Sequence, residues 1–257
     1  LARSNRELED FAFVASHDLQ EPLRKIRAFG NRLESGYNDV IDERGKDYLA
    51  RMLNAAERMS MLISDLLAFS RVSTRGKEFD DVNLGTVVDS IMGDLEIAID
   101  EKSAQINVSD LPTIRGDKSQ LEQLFLNLVS NALKFQREGV RPEVTISARD
   151  ATEEESKDIL LAEEYDWTKI TVSDNGIGFE QSFAEKIFAP FQRLHGRSEY
   201  KGTGIGLAVC RRIVERHNGQ ITAVSSPGKG ATFSIIIPKN SEPFGSNNNN
   251  GETHNDA

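Results

Sequence analysis

Apolar residues recur in steps of three and four along the start of the chain, at Leu8, Phe11, Ala15, Leu19, Leu23, Ile26 and Leu33. This spacing places them on one stripe and predicts a single helix over residues 1–36. At 1.5 Å per residue such a helix is roughly 50 Å long. Pro22 lies inside it, which predicts a bend one turn beyond His17. Gly36-Tyr37-Asn38-Asp39 breaks the pattern. A second amphipathic helix follows over about 44–74, with Leu49, Met52, Ala56, Met59, Ile63, Leu66 and Ser70 in heptad-like register. Two long helices joined by a short loop make a hairpin that buries only part of each stripe. Packing two hairpins into a four-helix bundle is the cheapest remedy, and predicts a homodimer through residues 1–76.

Beyond the polar hinge Ser73-Thr74-Arg75-Gly76-Lys77 the period becomes mixed. Strands are predicted at 81–83, 106–108, 113–115, 144–148, 170–172, 221–224 and 232–237, and helices at 84–101, from Asp117 to about 137, and from Thr203 to the stop signal Asn218-Gly219. Asp117 reads as an N-cap, with Gln120 as its capping-box partner. The fold class is α+β: a helical hairpin over 1–76, a layered α/β sandwich over 77–240, and a low-complexity tail over 241–257 expected to be disordered.

Composition narrows the function classes. The 257 residues are 38% hydrophobic and 28% charged, enough for a real core. A net charge of −10 makes nucleic acid and anionic membrane surfaces poor partners. A single cysteine, Cys210, excludes an internal disulfide and reads as a buried helix residue. No apolar run approaches the ~20 residues of a membrane span, and no signal peptide opens the chain. The expectation is a cytoplasmic polypeptide that opens mid-helix as a fragment of something longer.

Four constellations carry chemistry. His17 is followed by Asp18. A neutral imidazole is a nucleophile, and a neighbouring carboxylate can hold one ring nitrogen protonated while the other attacks. Taken alone, such a pair more often marks a surface histidine with no role. Asn127, Asn131 and Lys134 fall on one helix face at i, i+4 and i+7. Two amides and an ammonium suit phosphate and Mg²⁺, which takes few protein ligands. Asp174-Asn175-Gly176-Ile177-Gly178 follows a strand, where glycines allow close backbone approach to a flat ligand, though an ordinary turn has the same composition. Gly202-Thr203-Gly204-Ile205-Gly206-Leu207 opens a helix, where backbone N–H groups form an anion site. Its spacing matches neither the dinucleotide fingerprint nor the Walker pattern.

Taken in order, His-Asp with Pro22 on a hairpin, N-x-x-x-N-x-x-K-F, D-x-G-x-G, Phe188-Ala189-Pro190-Phe191-Gln192-Arg193 and G-T-G-I-G-L resemble the sensor histidine kinase family over about 1–240. The stretch around His17 looks most like phytochrome-type and related cytosolic multi-sensor kinases. The resemblance implies an ATP-binding fold shared with gyrase, Hsp90-type chaperones and MutL, ATP and Mg²⁺ as cofactors, and autophosphorylation of His17 followed by transfer to a response regulator receiver domain. It also implies an upstream sensor domain. By position, Asp18 is the base or orienter, Asn131 the Mg²⁺ ligand with Asn127 nearby, and Lys134 a phosphate contact. Phe135 lines the nucleotide pocket and Asp174 accepts the adenine amino group. Gly176 and Gly178 give close approach, and Arg193 to Lys201, with His195 and Arg197, forms the lid. Gly202, Thr203, Gly204, Gly206 and Leu207 hold the phosphate end, and Thr232 lines the pocket from a late strand.

One departure is Glu21, which stands where many family members carry the Thr or Asn that positions water for removing phosphate from the partner receiver. Phosphatase activity is doubtful by that route. Two other readings compete. A clamp-type ATPase of the gyrase or Hsp90 class needs a glutamate beside the metal-binding Asn, and Glu122 lies nine residues before Asn131. A non-catalytic dimeric nucleotide-binding scaffold would be expected to show degenerate motifs, and each motif is intact.

Overall fold

A computed structural model describes residues 2–74, 78–156, 159, 166–194, 200 and 202–240; of the side chains, those of 2–18, 71, 73 and 74 are also outside the described set. The tail expected at 241–257 lies outside the described residues.

Helices α1 (Ala2–Tyr37) and α2 (Glu43–Thr74) form the hairpin. The backbone of α1 stays helical through Pro22. Leu23, Ala56, Ile63 and Leu67 form the hairpin's own small buried cluster. The two helices come close at Gly30, where a Cβ would stand 2.4 Å from Leu53 Cδ2. A second set of apolar residues remains exposed. It follows two strict seven-residue lines, Leu19-Ile26-Leu33 on α1 and Met52-Met59-Leu66 on α2.

The rest of the chain runs β1 (Asp80–Asn83), α3 (Leu84–Glu101), β2 (Gln105–Val108), β3 (Thr113–Gly116), α4 (Lys118–Lys134), β4 (Glu143–Asp150), α5 (Glu153–Ser156), β5 (Trp167–Asp174), α6 (Gly206–Arg216), β6 (Gln220–Ser225) and β7 (Ala231–Pro238). Two single 3-10 turns lie at Gln181–Phe183 and Lys186–Phe188. β1 and β3 pair antiparallel as a small separate sheet. The main sheet has the order β2-β4-β5-β7-β6, parallel only between β2 and β4. α4 packs on β4 and β5, α6 packs on β6, and α3 and α6 each pack on α4, giving a helix layer against a sheet layer.

The periodicities explain this packing. α4 buries Leu121, Leu124, Phe125, Leu128, Val129, Ala132 and Leu133, a broad helical stripe. β6 alternates exposed and buried residues along its whole length, as a strand with one covered face does. Cys210 is fully buried on α6, and burial pushes its thiol up to about 12, so it packs as an inert hydrophobe.

Asp117 caps α4 by accepting from the Ser119 and Gln120 N–H groups, at 3.0 and 3.3 Å. The reciprocal half of the capping box does not form. The Gln120 amide donates instead to the Val72 carbonyl at the end of α2, at 3.1 Å. The Asp117 N–H donates to His217 Nε2 at 3.1 Å. A tertiary acceptor has replaced the local one. Two helix boundaries also differ from the sequence pattern. α4 stops at Lys134, with Phe135 leaving helical geometry, and α6 starts at Gly206 rather than Thr203, because Gly202 and Gly204 adopt positive φ.

Candidate active site

A cavity of about 340 Å³ opens between α4, the segment after β5, the glycine-rich segment before α6, and α2. Its size suits a small-molecule ligand. Asn127, Asn131, Lys134 and Phe135 line it from α4 and its C-cap. Asp174 and Gly178 line it beyond β5, and Arg193, Gly202, Thr203, Gly204, Gly206 and Leu207 line the remaining side.

The two asparagines differ in availability. Asn127 accepts from Gln123 Nε2 at 2.9 Å and donates to the Gly206 carbonyl at 3.1 Å, so its amide rivets α4 to the start of α6. Among the described residues, no protein group hydrogen-bonds the Asn131 amide. Asn131 therefore keeps a carbonyl oxygen for an ion. Lys134 is half-buried, with Nζ 4.4 Å from the centre of the Phe135 ring. Burial first, and the nearby Arg193 charge second, lower its pKa. Both effects are relieved by an anion, so this ammonium favours a phosphate neighbour.

The Asp174 carboxylate accepts from the Gly176 N–H at 2.8 Å and from the Ala231 N–H at 3.2 Å, both on Oδ1. Oδ2 has no protein donor among the described residues and can accept from a ligand amino group. Burial raises the Asp174 pKa, opposed by the two N–H donors. Phe135 meets the Tyr200 ring at 4.9 Å between centroids. Arg193 donates to the carbonyls of Gly202 at 2.7 Å and Tyr200 at 2.6 Å, tying the end of the segment after β5 to the glycine-rich segment before α6.

α6 begins without a side-chain cap: Ile205 is its N-cap residue, and no side-chain bond closes it. An uncapped helix N-terminus at a cavity is an anion site in electrostatic terms. Thr203 Oγ1 donates to the Asp65 carboxylate of α2.

Several expected residues sit elsewhere. Gly176 is absent from the cavity wall; its Cβ position is 2.3 Å from the Phe135 carbonyl oxygen, so its close approach is to the chain itself. Gly178 lines the cavity at φ +62, but its Cβ position likewise faces protein, 2.2 Å from the Ser226 carbonyl oxygen. Thr232 pairs with Ser173 Oγ at 2.8 Å, while Ala231 and Phe233, on the other face of β7, line the cavity. His195, Arg197 and Lys201 lie outside the described residues, and of His17 and Asp18 only the backbone, on α1, is described. Sequence reasoning missed Tyr200, Gln123 and the α2 wall of Met61, Asp65 and Ala68.

No helix among the described residues is long and apolar enough to cross a membrane.

Comparison with known proteins agrees with this geometry. The family model "Histidine kinase-, DNA gyrase B-, and HSP90-like ATPase" matches residues 116–241. The model "His Kinase A (phospho-acceptor) domain" matches residues 7–75. The chain is 40% identical over 238 residues to phytochrome-like protein Cph1 of Synechocystis, covering 93% of this chain and 30% of that protein. It is 41% identical over 238 residues to cyanobacterial phytochrome A of Nostoc, covering 93% of this chain and 29% of that protein. It thus spans about a third of the length of these curated relatives. Full-length ShkA in complex with AMPPNP has a similar fold, with a TM-score of 0.64 at 23% identity, covering 89% of this chain and 45% of that one. Histidine kinase ThkA in complex with response regulator protein TrrA gives a TM-score of 0.58 at 23% identity, covering 92% of this chain and 64% of that one. The chain belongs to the sensor histidine kinase family, carrying its phosphoacceptor and ATP-binding elements.

Proposed function

We propose that the chain is a histidine kinase core, with a phosphoacceptor hairpin over 1–76 and an ATP-binding region over 77–240, that transfers the γ-phosphoryl group of ATP to His17. The observation that carries this reading is the cavity wall itself. An uncapped helix N-terminus, an unengaged asparagine amide, a partly buried lysine and a partly buried carboxylate with one open oxygen line the same cavity. That arrangement suits a triphosphate joined to a base with an amino group.

Asp174 Oδ2 accepts from the adenine amino group, a buried hydrogen bond that selects the base. Phe135 covers the base. Lys134 and the N–H groups around Gly204 and Gly206 meet phosphate oxygens. The Asn131 carbonyl oxygen is a ligand for Mg²⁺, which when bound neutralises phosphate charge during transfer. Asp18 holds the proton on one His17 ring nitrogen, leaving the other lone pair to attack the γ-phosphorus. The bond to the β–γ bridging oxygen breaks and ADP leaves. Catalysis is then mainly positioning and charge neutralisation.

The nucleophile lies on the hairpin and the ATP site in the region over 77–240, so transfer requires the two regions to bring them together. The phosphoryl group passes next to an aspartate of a response regulator, a partner class supported by the ThkA complex. The exposed lines Leu19-Ile26-Leu33 and Met52-Met59-Leu66 support a homodimer through 1–76, because seven-residue repeats form a continuous seam when helices supercoil. Glu21 argues against phosphatase activity toward the partner by the water-positioning route.

The test is incubation with γ-labelled Mg-ATP. A protein-bound label that is acid-labile and alkali-stable is expected. ATP hydrolysis with no label would favour a clamp-type ATPase, and binding with neither would favour a scaffold.

A further inference from the structure

Arg137 lies three residues past the end of α4, outside every motif of the nucleotide site, and is half-buried. Its guanidinium makes two directed bonds to two different segments. Nε donates to the Asn175 carbonyl at 2.7 Å, and Nη1 donates to the Gly228 carbonyl at 3.0 Å. The first carbonyl belongs to the residue after Asp174. The second belongs to the turn between β6 and β7.

These two segments are the ones that hold the Asp174 carboxylate. Its Oδ1 receives one N–H from Gly176 and one from Ala231, where the β6–β7 turn becomes β7. The turn also presses against Asp174 directly: a Cβ on Gly230 would stand 1.9 Å from the Asp174 carbonyl oxygen. A closed ring of bonds completes the frame. The Ile177 N–H donates to the Phe135 carbonyl at 2.8 Å, and the Gly228 N–H donates to the Ile177 carbonyl at 2.6 Å. Arg137 closes that ring from the Gly228 carbonyl back to the chain just past Phe135.

We propose that Arg137 is a positioning residue for base selection: by tying the Asp174–Gly178 loop to the β6–β7 turn, it fixes where the Asp174 carboxylate meets the base. The inference rests on Asp174 reading an amino group, as argued above. The mechanism is geometric. A hydrogen bond discriminates only when its acceptor is held at a fixed distance and angle. With the brace removed, the two N–H donors to Oδ1 can separate, and the carboxylate gains freedom to turn away from a base it should read. The phosphate contacts, Lys134 and the N–H groups around Gly204 and Gly206, are not part of the ring and keep their geometry.

ATP and its inosine counterpart ITP test this, since they share sugar and phosphates and differ at the exocyclic position that Asp174 would read. Affinities for both, with Mg²⁺, are measured by direct titration on the wild-type chain and on Arg137→Ala and Arg137→Lys. Circular dichroism checks the fold of each. The wild type is expected to prefer ATP. Arg137→Ala should reduce the ATP-to-ITP preference by about tenfold, the scale of one well-placed hydrogen bond to a charged group. Arg137→Lys should fall between, because an ammonium on a flexible stem cannot hold both carbonyls in a fixed fork. If Arg137→Ala fails to fold, the lysine variant carries the test through the same ratio. Equal losses for both nucleotides, with the preference intact, would make Arg137 a general brace and overturn the proposal. A wild type with no preference for ATP would instead remove the Asp174 reading on which it stands.

Discussion

The hairpin and the sandwich solve the same problem to different extents. The sandwich closes its core within one chain: Phe125, Leu121, Leu124, Ile146, Ile170, Ile213 and Ile235 are fully buried. The hairpin buries a four-residue cluster and leaves two heptad lines in the open, with Phe29 beside them at 63% exposure. Both regions carry regular apolar periodicity, so periodicity alone does not distinguish a finished core from an interface. The cover over the stripe does. A sandwich helix such as α4 has one broad covered stripe, whereas each hairpin helix carries a buried position beside an open heptad line.

Truncation separates the two regions most sharply. Phe125→Ala should cost about 3–5 kcal/mol of unfolding free energy, because it opens a cavity that packed neighbours cannot refill. Phe29→Ala should cost under about 1 kcal/mol in a monomer, as expected for an exposed position. Denaturant titration of both variants checks the contrast. A large loss from Phe29→Ala at a protein concentration where the chain sediments as a monomer would show that the hairpin is more closed than its surface implies.

The second prediction concerns the place where the regions join. His217 is buried on the C-cap of α6, stacked 4.4 Å from Phe79, just beyond the connection from α2. Its Nε2 accepts from the Asp117 N–H, so its Nδ1 carries the proton and donates to the Ile213 carbonyl at 2.7 Å. Arg216 and Asp117 are the charged groups beside it. Burial is the main cause that lowers its pKa from 6.5 to about 4. A lowered histidine pKa means that the unfolded chain takes up the proton first. Its contribution is therefore intact above pH 6.5 and is lost as the pH falls toward 4, to a total of roughly 3 kcal/mol. Unfolding curves between pH 7 and pH 4 should show this slope, and His217→Gln should flatten it. A slope unchanged by the substitution would assign the pH dependence to other groups.

The smallest expected effect lies in the contact across the cavity. Asp65 of α2 accepts from the Thr203 hydroxyl at the uncapped start of α6, which places a carboxylate where phosphate charge is expected. Asp65→Asn should tighten nucleotide binding several-fold, about 1 kcal/mol, by removing that like charge. Titration with Mg-ATP at two salt concentrations checks it. An affinity that falls would mean that the carboxylate assists binding.

Much of this arrangement was legible in the sequence because it is local. Helix stripes, the Asp117 cap and the spacing of Asn127, Asn131 and Lys134 depend on residues within a few turns of one another. The parts that were not legible depend on distant partners. Gln120 gave up its capping-box role because the Val72 carbonyl, 48 residues away, needed a donor. Asn127 and Asn131 look equivalent on the helix face, but only the first meets the Gly206 carbonyl. Thr232 has the composition of a pocket residue, yet strand alternation gives the pocket to Ala231 and Phe233. The α2 wall carried no sequence signal, since Met61, Asp65 and Ala68 sit among ordinary hairpin residues.

The central claim is that the cavity serves a nucleophile on the hairpin. The measurement that tests it most directly compares His17→Ala with the wild-type chain for γ-label incorporation and for Mg-ATP affinity together. The substitution is expected to abolish the acid-labile label and to leave nucleotide affinity within about twofold, since the described cavity wall already offers contacts for base and phosphates. An acid-labile label that persists in His17→Ala would contradict the claim.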